Sequence, residues 1–95
     1  MPSTIELPRT SGPGSGFGGD WRVIVRNDDH NTFDGVAHAL ARTLPGVTIE
    51  QGYEFANRIH SDGLSIVWRG HREPAEHYFE QLAAFGLTMA PLERD

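Results

Sequence analysis

The chain contains no cysteine, which removes disulfides, thiolate metal centres and cysteine nucleophiles from consideration. It has no apolar run approaching the roughly 20 residues needed to span a bilayer. It also lacks the basic start and hydrophobic stretch of a signal peptide. A cytoplasmic address is the expectation that follows. Cationic charge is scarce too: eight arginines face 13 aspartates and glutamates, for a formal net charge of -5. So acidic a chain lacks the positive footprint that releases counterions from DNA or RNA. Nucleic acid is therefore not an expected partner, and a cationic ligand suits the excess of carboxylates better.

What is present is an ordinary globular balance, 38% hydrophobic and 22% charged over 95 residues, the size of one domain. Such a core can fold alone but has little spare stability for a deep, elaborate active site. Residues 1–19 hold Pro2, Pro8, Pro13 and five glycines from Gly12 to Gly19. That composition cannot bury enough apolar surface to offset its ordering entropy. We read 1–19 as a flexible Gly/Pro-rich tail and 20–95 as the folded core. Gly14, Gly16 and Gly19 satisfy G-x-G-x-x-G, but a dinucleotide fingerprint follows a strand and opens a helix. Here a tail precedes and a strand follows, so the nucleotide reading fails.

Within the core, Trp21, Val23 and Val25 alternate with Arg22 and Arg26, the period of a half-buried strand. Asn27-Asp28-Asp29 stops it. Phe33, Val36, Ala37, Leu40, Ala41 and Leu44 then form the stripe of an amphipathic helix, with Asn31 as the expected N-cap, Asp34 completing a box-like pair, and Pro45-Gly46 as the stop. Thr48 with Gln51 is a capping-box signature and opens a second helix. Its expected inner face is Ile49, Gly52, Tyr53, Ala56 and Ile59, and Gly63 suits its end. Glycine costs a helix about 1 kcal/mol against alanine, so Gly52 marks a place where two helices press together. Leu64 to Arg69 reads as a strand. Glu73-Pro74 opens a third helix whose stripe is Ala75, Tyr78, Phe79, Leu82 and Phe85, and Gly86 closes it. Thr88 to Glu93 makes a last short strand, which Pro91 confines to an edge. The order predicts an α+β fold, a small βααβαβ domain with three helices packed on a largely antiparallel three-stranded sheet. No internal repeat is visible.

Three features rise above background: Asn27-Asp28-Asp29 at a strand end, His60 at a helix end, and the apolar residues near both. Carboxylates, an amide and a neutral imidazole all accept hydrogen bonds from an ammonium group. Each also has a plainer reading. Asx-rich runs commonly build turns and caps, and a histidine at a helix end answers the helix dipole. His30, His38, His71 and His77 form no i, i+4 pair with a third ligand in view, so no metal site is expected. A hydrolase built on Asp29, His60 and Ser61 or Ser65 has no nucleophile-elbow motif behind it. We expect no catalytic residue and no cofactor.

The order of these motifs nevertheless has a likeness. Trp21-Arg22-Val23-Ile24-Val25-Arg26-Asn27-Asp28-Asp29, a following helix and then Ile59-His60-Ser61-Asp62-Gly63 resemble the ClpS family of protease adaptors. Leu82-Ala83-Ala84-Phe85-Gly86-Leu87 and a strand ending in Leu92-Glu93 continue the resemblance, which looks most like the shorter actinobacterial-type members at that end and spans about residues 21–93. It implies an adaptor rather than an enzyme, a monomer that grips N-degrons, proteins with an exposed Leu, Phe, Tyr or Trp as first residue. It would deliver them to a Clp unfoldase, ClpA or ClpC, working with ClpP. By the same resemblance Asn27, Asp29 and His60 hold the α-amino group and Asp28 supports the peptide entrance. Asn31, Phe33, Val36, Ala56 and Ile59 line the pocket for the first side chain, and Glu73 lies on the unfoldase-docking face. The tail would help engage the unfoldase. The chain departs from the family pattern at two pocket positions, with Ala56 and Phe33 each standing where a Met is usual, and one extra residue sits between Leu44 and Thr48. The first-residue preference is open on this ground. An alternative is a ClpS-like modulator of a Clp unfoldase that no longer recognises N-termini.

Overall fold

The computed structural model describes residues 20–95. The expectations for the segment 1–19 lie outside the described residues. The elements run β1 (Trp21–Arg26), α1 (Phe33–Thr43), α2 (Ile49–Asp62), β2 (Leu64–Gly70), α3 (Arg72–Ala84), β3 (Thr88–Met89) and β4 (Glu93–Arg94). Every strand pair is antiparallel and centred on β1, which has β2 on one side and both β3 and β4 on the other. The three helices and the antiparallel sheet give the expected α+β class.

The expected final strand divides in two, so the sheet has four strands rather than three. Its register shows why. Val25 pairs with Met89 and Trp21 with Arg94, so four steps along β1 are matched by five along the last segment. The extra residue falls around Pro91, which has no N–H to give to a ladder. Ala90 still donates to the Ile24 carbonyl at 3.0 Å. The β1–β2 register also shifts between Val23 and Ile24, which pair with Trp68 and Ile66, so β2 carries one extra residue there, the signature of a bulge.

The core lies between the helices and the sheet, with Val23, Val25, Leu40 and Leu82 fully buried. Burying each such side chain stabilises the fold by about 1.5–3 kcal/mol. The close contact expected at Gly52 is present. A β-carbon there would sit 2.5 Å from the Ala37 carbonyl oxygen, so glycine lets the α2 backbone rest on α1. The Thr48–Gln51 capping box is formed in both directions.

Three local expectations change. The α1 N-cap is Thr32, whose hydroxyl accepts from the Gly35 N–H at 2.9 Å. Asn31 one residue earlier is committed to other partners. Tyr53 is exposed rather than inward, its hydroxyl donating to Asp34 on α1 at 2.7 Å, while Phe55 packs at the core edge. Phe85 is also exposed, because α3 ends at Ala84 and Gly86, at φ 96°, turns the chain away.

Candidate functional site

Gly63 sets the site's frame. At φ 90° it is the left-handed cap of α2, and its N–H closes back on the Ile59 carbonyl. Its own carbonyl accepts from the Asn27 N–H at 2.8 Å. One glycine therefore ends α2 just after His60 and pins the residue that leaves β1. Asn27 and His60, distant in sequence, end at the same cavity.

That cavity, of about 250 Å³, is lined by Asn27, Asp28, Asp29, Asn31, Phe33, Val36, Ala56, Ile59 and His60, together with Val25, Arg26, Thr32, Leu87 and Thr88. Glu73 is elsewhere, in the first turn of α3. Pockets for drug-sized ligands run to about 300–1,000 Å³; this one is nearer the size of a single side chain. Its apolar part is built from the inner faces of two helices, Val36 on α1 with Ala56 and Ile59 on α2, all buried. Phe33 stands exposed at its edge and meets the His60 ring edge-on at 5.3 Å between centroids.

The two carboxylates differ. Asp29 is fully exposed, with the His30 ring 4.0 Å from its carboxylate. Asp28 is largely buried and engaged internally. Its Oδ1 accepts from the backbone N–H groups of His30 and Asn31 at 3.1 and 2.8 Å. Its Oδ2 accepts from the Asn31 side-chain amide and from the Thr88 hydroxyl, each at 2.7 Å. Burial alone would raise this carboxyl's pKa. The Asn31 N–H, the Thr88 hydroxyl, the Asn31 amide and the His30 N–H together outweigh it and hold the group well below the usual carboxylate range. Asp28 is thus an ionised knot in the loop, while Asp29 is free to face a ligand.

Val25, Arg26, Thr32, Leu87 and Thr88 line the cavity without being expected there from sequence. Leu87 and Thr88 come from β3 and the turn before it, and nothing local in the sequence links Thr88 to Asp28. Among the described residues no group of three His, Asp or Glu side chains is placed to hold a metal ion. No described helix is long and apolar enough to cross a membrane.

The site is a hydrogen-bonding rim over an apolar floor at the junction of β1, α1 and α2. The family described as ATP-dependent Clp protease adaptor protein ClpS matches residues 19–90. The chain belongs to the ClpS family. It is therefore a Clp protease adaptor, from an adaptor family and not a protease. The ClpS adapter of Synechocystis sp. is 51% identical over 75 residues, covering 79% of this chain and 76% of the relative. That of Nostoc sp. is 50% identical over 74 residues, covering 78% and 76%. The solved structure of Agrobacterium tumefaciens ClpS2 bound to L-phenylalaninamide superposes with a TM-score of 0.75 over 82% of this chain and 99% of that one. At 19% identity that likeness concerns the fold, and it matches three helices on an antiparallel sheet.

Proposed function

We propose that this ClpS-family adaptor binds the free α-amino group and bulky hydrophobic first residue of N-degron substrates and delivers them to a Clp unfoldase for degradation. One observation carries the reading: polar groups of Asn27, Asp29 and His60 line the same small cavity as the apolar floor of Val36, Ala56 and Ile59. An N-terminal residue has that composition, an ammonium and a hydrophobic side chain on the same α-carbon. The Agrobacterium ClpS2 relative binds L-phenylalaninamide, a free amine attached to a bulky aromatic side chain, which supports the same use of the cavity here.

The energetics suit delivery. An α-amino group has a pKa of about 7.7–8.0 and is mostly charged at neutral pH. Hydrogen bonds to a charged group contribute about 1.5–3 kcal/mol each, and burial of one large apolar side chain a similar amount. The cost of immobilising the peptide offsets much of this sum, which keeps the affinity moderate. An adaptor that must surrender its cargo gains nothing from tighter binding. Glu73, in the first turn of α3 and away from the cavity, is assigned to unfoldase docking, so that cargo and unfoldase occupy different faces of a cytoplasmic monomer.

Fluorescence anisotropy with otherwise identical peptides starting with Leu, Phe, Trp or Ala, and an N-acetylated Phe control, tests the reading. Binding of bulky free N-termini, lost on acetylation and in Asp29→Ala or His60→Ala, is expected. Absence of binding to every peptide would refute it and leave modulation of the unfoldase.

A further inference from the structure

Two distant parts of the chain meet at Asp28. The loop after β1 has no helix or strand to hold it, yet it carries Asn27 and Asp29. Among the described residues the Asn27 side chain has no hydrogen-bond partner, and the exposed Asp29 carboxylate has only the distant His30 ring. Neither side chain is positioned by its own contacts. The Asn27 backbone is pinned by the Gly63 carbonyl, and the reach from there to Asp29 depends on the backbone of Asp28.

Asp28 receives the Thr88 hydroxyl at 2.7 Å from β3, across 60 residues of sequence. Asn31 reinforces the same junction. Its Nδ2 gives one hydrogen to Asp28 at 2.7 Å and the other to the Gly86 carbonyl at 2.9 Å. β3 itself is two residues long and pairs Thr88 with Arg26, the last residue of β1. The turn after α3 is thereby fastened to both ends of the loop. Four donors on two carboxylate oxygens leave Asp28 little capacity for an incoming ammonium.

We infer that Thr88 and Asn31 are positioning residues for N-terminus recognition: acting through Asp28, they clamp the loop so that Asn27 and Asp29 meet an incoming α-amino group in fixed geometry. The inference rests on the N-terminus-binding reading above. Its physical basis is that a binding constellation on a loop needs its supports set to about 0.5 Å, and that charge-assisted hydrogen bonds are the stronger, more directional ones available. The competing view is an ordinary staple that adds stability and leaves recognition alone.

The test uses the full chain with Thr88→Val, which keeps the shape and removes the hydroxyl, Thr88→Ser, which restores it, and Asn31→Ala. Affinities for a Phe-initiated peptide, free and N-acetylated, are measured well below each variant's melting temperature. Amide hydrogen exchange of residues 28–31 is followed alongside. The clamp predicts a loss of roughly 10- to 100-fold for the free-amine peptide in Thr88→Val, recovery in Thr88→Ser, and faster exchange in the loop. Wild-type affinity in Thr88→Val, or a loss of affinity with loop exchange unchanged, would overturn it. If the wild type shows no preference for a free amine, the N-terminus reading falls, and hydrogen exchange decides the clamp separately: unchanged protection in Thr88→Val overturns it, and faster exchange supports it.

Discussion

Thr88 donates its hydroxyl hydrogen to Asp28 at 2.7 Å, fastening β3 to the loop that leaves β1. Because the Asp28 carboxyl is held well below the usual range, its stabilisation is fully present above its unfolded value of about 3.9 and is lost as pH falls toward the folded one. Asp28→Asn places an amide donor opposite donors from Asn31 and Thr88. It should cost about 1–3 kcal/mol at neutral pH. Urea denaturation from pH 7 down to pH 2 should show the wild type and variant converging below about pH 4. A constant difference across that range would contradict the role given to the carboxylate.

Gly52→Ala sets local propensity against packing. Alanine gains a helix about 1 kcal/mol over glycine, but the new β-carbon would lie 2.5 Å from the Ala37 carbonyl oxygen, which is backbone and cannot swing aside. α1 and α2 would have to separate. We expect net destabilisation of about 1–3 kcal/mol, measured by thermal or urea denaturation; a stabilised variant would show that the helices have slack at this contact.

Thr48→Ala should separate stability from binding. It removes the hydroxyl that accepts from the Gln51 N–H at 3.1 Å and leaves the backbone N–H at position 48 to the Gln51 side chain, for a loss of about 1 kcal/mol. His60 lies near the other end of α2, roughly 18 Å along the axis. Peptide affinity should therefore stay within about twofold of wild type while denaturation shifts. Coupled loss of both would mean that the whole of α2 positions the site.

Periodicity and punctuation made the fold legible, while the candidate site residues came from the ClpS resemblance. The capping box at Thr48, the stop at Gly63 and the contact at Gly52 are local statements about backbone chemistry, and sequence displays local chemistry. Asn27, Asp29, His60, Ala56 and Ile59 fall at element ends or on helix faces whose direction the 3.6-residue period fixes. Thr88 was not legible, because its meaning is a hydrogen bond to a residue 60 positions away. Asn31 was misread as a cap for a related reason. Asn and Thr are both good N-caps, and what decides between them is the tertiary demand that Asp28 and Gly86 make on the asparagine. Phe85 and Tyr53 satisfied the helical period yet face outward, one because its helix has ended and the other because Asp34 holds its hydroxyl.

Ala56→Met probes the chain's departure from the family pattern directly. Ala56 is 2% exposed and lines the cavity beside Val36 and Ile59, so a longer thioether has nowhere to go except into the space for the first side chain. Filling that space costs a large ligand about 1–3 kcal/mol and a smaller one less. Peptides beginning with Trp or Phe should lose roughly 5- to 100-fold in affinity, those beginning with Leu no more than about threefold. The variant's melting temperature should hold or rise, since the added atoms occupy an existing void. The measurement is the same anisotropy series over Leu, Phe, Tyr and Trp. Unchanged affinities across it would mean that the first side chain does not reach Ala56, and that Phe33 at the cavity's edge, against the His60 ring, sets the range of N-termini instead.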